Sequence, residues 1–219
     1  MTDNIEIIQE EEFLIKIKTP KQIGIAPVLL LLHGWTGDEN SMWSFASKIP
    51  STYLVIAPRA PFKISNPTLE GFTWVENPSG RWSWLDDFTP SIKLLSNLLD
   101  SLSRQYEGNF SEINIAGFSQ GAALTYAYAM TYPQKVNKIA GLAGFLPEIC
   151  EPKLAQGPVN GKSIFIAHGT KDQIVKIDMA YSARDMLEKN GANVTFCESD
   201  VGHRLGSNCY SAFGKFISA

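Results

Sequence analysis

The sequence has little of several features that mark special classes of protein. Only 19% of its 219 residues are charged and the net charge is −3, so no basic surface is offered to nucleic acid or anionic lipid. The longest apolar run, 25–32, contains a proline and is far too short to span a membrane. No segment repeats with a period of about 20–50 residues, which excludes solenoids and propellers. We therefore expect no nucleic-acid partner and no stable membrane anchoring.

Cysteine and histidine are scarce, with three of each. Cys150, Cys197 and Cys209 show no CxxC or zinc-finger spacing, so we expect three buried thiols in a reducing compartment and no disulfide framework. The acidic N-terminus, MTDNIEIIQEEEF, differs from a signal peptide. The histidines have no i, i+4 pair and no HExxH motif, which disfavours a metal enzyme. Together these features predict a cytoplasmic protein without a metal.

Short apolar runs alternate with helical patterns along the chain, which predicts a mostly parallel sheet with helices on both faces. The predicted helices start at Pro90, at Ala122 and near Met179, and the first and last of them are ended by glycines. No linker separates two cores, so we expect a single α/β domain over residues 1–219. The predicted strands cover residues 12–18, 25–33, 52–57, 112–116, 136–142, 163–168 and 193–197.

A long segment, 58–90, is rich in proline and holds three of the five tryptophans, Trp74, Trp82 and Trp84. Long irregular loops inside a compact domain are more often functional than accidental. Rigid aromatic faces in this loop could line a substrate pocket. They could equally attach the loop to the core, and both interpretations stay open.

The motif Gly117-Phe118-Ser119-Gln120-Gly121 is a G-x-S-x-G. It follows the apolar run INIA and precedes an alanine-rich helix, which is the strand–turn–helix context of a nucleophile elbow. The motif alone is a weak signal, and an ordinary turn with a capping serine is the alternative. In this context it predicts Ser119 as a nucleophile at a helix N-terminus, where the dipole favours negative charge.

A serine hydroxyl needs a general base, and the three histidines are the candidates. Hydrolases with this elbow place serine, acid and histidine in that order along the chain. His33 precedes Ser119, and His168 has no predicted strand-end acid between it and Ser119. The order therefore selects His203, which lies in a glycine-rich loop.

The same pattern of strand ends and chain order predicts two further parts of the site. These are the acid that orients the histidine and the donors that bind the oxyanion. Asp172 comes shortly after a predicted strand and is the candidate acid, with Asp200 as a distant second choice. The oxyanion needs two backbone N–H donors. We expect one from Gln120, which follows the nucleophile, and one from Trp35, in the loop after the strongest predicted strand.

Five sequence segments in order resemble the α/β-hydrolase superfamily. They are LLHGWTGDE, APRAP, GFSQGAAL, HGTKDQIV and GHR. More narrowly, the chain resembles the small phospholipase/carboxylesterase family that includes the acyl-protein thioesterases. The resemblance implies an α/β-hydrolase fold without a separate cap domain and an esterase or thioesterase without cofactors. By this resemblance Ser119, Asp172 and His203 match the family triad, and Trp35 and Gln120 match its oxyanion donors.

The chain departs from the family at positions near the expected substrate pocket. Trp35-Thr36 stands where many members have Leu-Gly, and Leu85 stands in place of a phenylalanine. We expect the substrate to contact Thr36, Trp82, Trp84, Leu85 and Val175.

These observations predict a serine carboxylesterase that hydrolyses short- to medium-chain acyl esters through an acyl-enzyme. An acyl-protein thioesterase or lysophospholipase would use the same site, and a hydrolase-fold protein that only binds ligands is a further alternative. The expected partner is a small ester or thioester, no cofactor is expected, and association into a homodimer is left open.

Overall fold

The computed structural model describes residues 4–21, 24–66 and 68–219, so Pro67 of the proline-rich segment lies outside the described residues. The strands are β1 (Asn4–Glu10), β2 (Phe13–Thr19), β3 (Ala26–Leu32), β4 (Leu54–Pro58), β5 (Phe62–Lys63), β6 (Phe72–Thr73), β7 (Gly108–Phe118), β8 (Val136–Leu142), β9 (Ser163–Gly169) and β10 (Asn193–Ser199). The α-helices are α1 (Trp43–Ala46), α2 (Thr89–Leu102), α3 (Gln120–Thr131), α4 (Glu151–Leu154), α5 (Ile177–Lys189) and α6 (Ser207–Ser218), with 3₁₀ helices at Leu85–Phe88 and Pro133–Lys135.

Eight strands form one sheet in the order β1-β2-β4-β3-β7-β8-β9-β10, and β5 pairs with β6 in a separate hairpin. The pairs β1–β2 and β2–β4 are antiparallel, whereas the strands from β4 to β10 in this order are parallel to their neighbours. The mostly parallel sheet predicted from the sequence is confirmed.

The central strand β3 contributes side chains to two hydrophobic cores because successive residues of a strand point to opposite faces. Val28, Leu30 and Leu32 are buried in the larger core, which also contains residues of α2, α3 and α5. Leu29 and Leu31 are buried in the second core with residues of α1 and α6. Helices therefore cover both faces of the sheet, as the continuous apolar run predicts.

Several elements were not predicted from the sequence. The edge strand β1 alternates between exposed and partly buried residues, so its apolar signal is weak. The α6 helix buries Cys209, Phe213 and Ile217 at a spacing of four residues. This spacing is typical of one face of a helix, so the sequence does contain a signal for α6. The α2 helix ends at Leu102, earlier than the expected stop at Gly108, because turns complete the connection to β7.

A buried histidine holds the turn that follows β3. His33 is 1% exposed, and its Nε2 accepts a hydrogen bond from the Ala60 N–H at 2.9 Å. The opposite nitrogen, Nδ1, therefore carries the proton and donates to the Gly34 carbonyl at 2.7 Å. The Trp74 indole donates to the His33 carbonyl at 2.7 Å. Burial lowers the pKa of His33 to about 4, so the neutral ring that these contacts require is the stable form.

A disulfide bond joins Cys197 of β10 to Cys209 of α6. The expectation that all three cysteines are unbridged thiols is therefore wrong for this pair. The two residues are 12 apart in sequence, and the return of α6 onto the sheet brings their Cα atoms to 5.6 Å. Cys150 is free and buried, as expected, and burial raises the pKa of its thiol to about 11. The bond closes the segment that contains His203.

We predict that the disulfide stabilises the fold by about 2–4 kcal/mol, because it restricts the unfolded chain. Reduction with a phosphine, or the double change Cys197→Ala and Cys209→Ala, should lower the Tm by several degrees. In the matched control, Cys150→Ala, the disulfide is intact, so reduction should still lower the Tm. Thiol titration of the denatured, unreduced protein should find the Cys150 thiol alone, and a count of three thiols would refute the bond.

We predict that His33 makes the free energy of unfolding depend on pH. Its folded pKa is about 4 and its ordinary value is 6.5, so in this window the unfolded state binds more protons. The stabilising contribution of His33 to the free energy of unfolding is fully present above pH 6.5 and is lost as the pH falls towards 4. Its size is about 3 kcal/mol. Urea unfolding across this range should show a shallower pH dependence for His33→Gln than for the unsubstituted chain. Parallel profiles would contradict the prediction.

Candidate active site

Ser119 lies in a strained turn between β7 and α3. Its backbone has φ 53° and ψ −115°, a conformation that is costly for a residue with a side chain. A Cβ atom at Gly117 would collide with the Gly121 carbonyl, and one at Gly121 would collide with the Leu32 carbonyl. The close approach of α3 to the two strands therefore requires both glycines of the motif. The predicted strand–turn–helix context of the serine is confirmed.

His203 and Asp172 meet at the same edge of the sheet. The His203 Nδ1 lies 2.6 Å from the Asp172 Oδ2, and the other carboxylate oxygen accepts from the N–H groups of Ile174 (2.9 Å) and Val175 (3.0 Å). Asp172 is 4% exposed, so its carboxylate is held by these hydrogen bonds and is shielded from water. With its proton on Nδ1, the imidazole keeps Nε2 as an acceptor, which is the tautomer that a general base needs.

The alternative acid, Asp200, lies on the surface. Its Oδ2 pairs with the Lys171 Nζ at 2.8 Å, and this hydrogen bond lowers the pKa of Asp200. Its Oδ1 accepts from the Thr170 hydroxyl at 3.3 Å. The structure thus brings Asp172 to His203 and engages Asp200 elsewhere, in keeping with the order of preference drawn from the sequence.

A second histidine, His168, borders the same carboxylate. Its Nε2 donates to the Val175 carbonyl at 2.8 Å and lies 3.4 Å from the Asp172 Oδ2. Burial lowers the pKa of His168, so the ring is neutral. Sequence reasoning considered His168 only as a rejected base and missed this contact. Its position at the end of β9, four residues before Asp172, is the signal that could have found it.

The two expected oxyanion donors come from two segments, one after β7 and one after β3. Gln120 is the first residue of α3, and N–H groups in a first turn have no acceptor within the helix. Trp35 follows β3, and in the described part of the chain its N–H has no acceptor. The Gln120 side chain accepts from the Trp74 N–H at 3.1 Å and donates to the Thr73 hydroxyl at 3.0 Å. These hydrogen bonds attach the elbow to the tryptophan-containing loop.

Two cavities flank this arrangement, and Trp35 lines both of them. The first, here called the serine cavity, has a volume of about 520 Å³ and contains Ser119 and Gln120 in its wall. The second, here called the histidine-side cavity, has a volume of about 480 Å³ and is lined by Phe118 and Arg204 among others. The Phe118 ring packs 4.9 Å from the His203 ring, so the second cavity adjoins the candidate base.

The expected substrate contacts are divided between these cavities and the surrounding loops. Trp82 and Val175 line the serine cavity, where the Trp82 ring packs 5.2 Å from the Phe145 ring. Thr36 lines the histidine-side cavity. The remaining two expected contacts, Trp84 and Leu85, lie outside both.

Trp84 and Leu85 instead hold the loop in place. The Trp84 indole donates to the Glu148 carboxylate at 2.8 Å, and the Leu85 N–H donates to the Glu148 carbonyl at 3.0 Å. Trp74 is fully buried. Trp74 and Trp84 therefore attach the loop to the core, whereas Trp82 lines a cavity, so its contact with a substrate stays a prediction.

The sequence matches the phospholipase/carboxylesterase family over residues 15–219. It is 31% identical over 184 residues to acyl-protein thioesterase 1 of Kluyveromyces lactis, covering 74% of this chain and 76% of that protein. It is 28% identical over 191 residues to acyl-protein thioesterase 1 of Debaryomyces hansenii, covering 77% of this chain and 79% of that protein.

The fold is similar to that of solved esterases. The Bacillus cereus carboxylesterase superposes with a TM-score of 0.78 at 22% sequence identity, covering 95% of each chain. At this identity the likeness concerns the fold, which is an α/β-hydrolase fold. The match over residues 15–219 shows that the chain belongs to the phospholipase/carboxylesterase family and is a serine ester hydrolase.

Proposed function

We propose that Ser119, His203 and Asp172 form a catalytic triad and that the protein is a carboxylesterase for short- to medium-chain acyl esters. The observation that carries this proposal is the 2.6 Å hydrogen bond between His203 and the buried Asp172, at the sheet edge where Ser119 is held in its strained turn. The family supplies the class of reaction, and the geometry supports these roles for the three residues.

The reaction proceeds in two acyl-transfer steps. The His203 Nε2 takes the Ser119 proton while the serine oxygen attacks the ester carbonyl, and the N–H groups of Trp35 and Gln120 stabilise the oxyanion. His203 then donates its proton to the leaving alcohol. A water molecule activated by the same imidazole hydrolyses the acyl-enzyme. Asp172 stays ionised and stabilises the imidazolium in both steps.

The serine cavity supports an acyl group of limited length. Its volume of about 520 Å³ lies within the range of about 300–1,000 Å³ that is typical of small-molecule sites. Its apolar wall includes Val75, Trp82, Phe145 and Val175. An aliphatic chain placed there gains about 0.8 kcal/mol for each buried methylene.

A thioesterase activity is the second candidate, because the relatives from Kluyveromyces lactis and Debaryomyces hansenii are named acyl-protein thioesterases. The same nucleophile, base and oxyanion donors would act on a thioester, with a thiol as the leaving group. The substrates of the two activities differ in the leaving atom, which is oxygen in an ester and sulfur in a thioester.

Cofactor use, location and assembly stay predictions. No group of three or more metal-ligating side chains occurs in the described ranges 4–21, 24–66 and 68–219, and within the same ranges no helix is long and apolar enough to cross a membrane. The disulfide between Cys197 and Cys209 is typical of oxidising compartments and argues against the cytoplasmic location expected from the sequence. Whether two copies form a homodimer stays an open expectation.

We predict that Ser119→Ala and Asp172→Asn each lower kcat/KM for p-nitrophenyl butyrate by about 10⁴-fold or more, because each change disables the nucleophile–base pair. Asp200→Asn removes the same charge from the surface and should retain activity. Labelling with a fluorophosphonate should disappear in Ser119→Ala, while circular dichroism verifies that the variant is folded. Near-normal turnover or labelling by Ser119→Ala would refute the assignment.

We predict that kcat/KM for p-nitrophenyl esters rises about fourfold with each methylene from acetyl towards hexanoyl, because each methylene enters the serine cavity. It should fall again before palmitoyl, when the chain exceeds the cavity. The same series should be measured with thioesters of equal acyl length. A maximum at palmitoyl, confined to the thioesters, would contradict the carboxylesterase proposal and favour the thioesterase.

A further inference from the structure

The histidine-side cavity is placed to receive the leaving group of the reaction. In the proposed mechanism His203 protonates the leaving oxygen, so the leaving group must lie next to the imidazole. Phe118, which packs on the His203 ring at 4.9 Å, lines this cavity, and so does Arg204, the residue after the base. Trp35 lines both this cavity and the serine cavity. An ester with its carbonyl at Ser119 can therefore place its acyl part in one cavity and its alcohol part in the other.

The charge in this cavity comes from Arg204. Among the described residues that line it, Arg204 is the only charged one, and the rest of the wall is aromatic, aliphatic, glycine or hydroxyl-bearing. The Arg204 side chain is exposed and forms no ion pair or hydrogen bond with the described part of the chain. Its guanidinium is therefore available to a ligand.

The acidic residues nearest in sequence to the cavity are already engaged. Asp200 pairs with Lys171 at 2.8 Å, and Glu39 pairs with Arg59 at 2.7 Å. Asp38 accepts hydrogen bonds within its own turn, from residues 40 and 41. None of these carboxylates forms an ion pair with the guanidinium, although the chain as a whole has a net charge of −3.

We propose that the histidine-side cavity binds the leaving group and that Arg204 selects esters whose leaving alcohol carries a carboxylate. A planar guanidinium binds a carboxylate through two parallel hydrogen bonds, and one cation without an ion-pair partner among the described residues matches one such anion. The rings of Trp35, Phe45 and Tyr210 in the wall suit an aromatic alcohol. This inference rests on the proposed function, since it assigns the second half of the substrate for the same reaction.

The chemistry remains simple hydrolysis. The ester C–O bond breaks, water supplies the oxygen of the released acid, and the proton on His203 passes to the leaving oxygen. The substrate carboxylate stays ionised against Arg204 throughout and takes no part in the bond changes.

The test compares two esters with the same acyl group, the hexanoate ester of 3-hydroxybenzoate and the hexanoate ester of 3-hydroxybenzamide. The measured quantity is the ratio of their kcat/KM values, because the ratio cancels effects on the acyl half. We expect Arg204→Gln to lower the ratio of anionic to neutral ester about tenfold, in line with the loss of one charge-assisted contact. Arg204→Lys should restore part of it.

The matched control is Arg104→Gln, which removes the same charge from the turn after α2 and lines neither cavity. Its ratio should equal that of the unsubstituted protein. An unchanged ratio in Arg204→Gln, or an equal fall in Arg104→Gln, would overturn the proposal, the latter because it would indicate a general field effect.

A binding measurement separates this inference from the proposed function. Hydrolysis of neither ester by the unsubstituted protein would count against the proposed function. The Ser119→Ala variant can still be titrated with 3-hydroxybenzoate and 3-hydroxybenzamide by calorimetry. We expect tighter binding of the carboxylate, and loss of that preference in the double variant Ser119→Ala, Arg204→Gln. Equal binding of both compounds to Ser119→Ala would overturn the assignment of Arg204.

Discussion

The parallel arrangement of β3, β7, β8, β9 and β10 is the constraint on which the rest of the molecule depends. Parallel strands end at the same edge of a sheet, and loops at that edge meet even when they are far apart in sequence. β3 leads to Trp35, β7 to Ser119, β9 to Asp172 and β10 to His203. The register places Leu32 beside Gly117 and His168 beside Glu198. The elbow and the histidine–carboxylate pair are thus consequences of strand direction, with glycines where the backbones come too close for a Cβ.

The three histidines lie in three different environments, and each environment determines whether the ring can take up a proton. His33 uses both ring nitrogens to hold the turn after β3, and His168 is buried beside the carboxylate with its Nδ1 unpartnered among the described residues. Burial lowers the pKa of both, so neither imidazole readily takes a proton. The side chain of His203 is 16% exposed and is oriented by a carboxylate that shows no exposure. A ring that is partly accessible and paired with a buried anion is suited to proton transfer.

The tryptophans of segment 58–90 take two kinds of position that the sequence could not distinguish, since some attach the loop to the core and one lines a cavity. Trp74 and Trp84 fasten the loop through their indole N–H groups, to the His33 carbonyl and the Glu148 carboxylate. Trp82 is left to face the serine cavity. Because Gln120 also bonds to residues of this segment, the loop that shapes the cavity is attached to the elbow itself. The shape of the serine cavity and the geometry of the turn at Ser119 are therefore mechanically linked, since a shift of the loop would be transmitted to the first residue of α3.

Local patterns in the sequence determined most strands, the principal helices, the sheet class and the strand–turn–helix context of Ser119, because periodicity and turn chemistry act over a few residues. The choice of His203 and Asp172 also followed from the sequence, through chain order and strand ends. The disulfide between Cys197 and Cys209, the contact of His168 with Asp172 and the different positions of Trp82 and Trp84 were decided by the tertiary structure alone. Each depends on how segments pack in three dimensions, and side-chain proximity across a fold has no signature in local composition. The cavity around Arg204 was also decided by the tertiary structure, because its walls come from three separate parts of the chain, which are residues 34–45, Phe118 and residues 204–210.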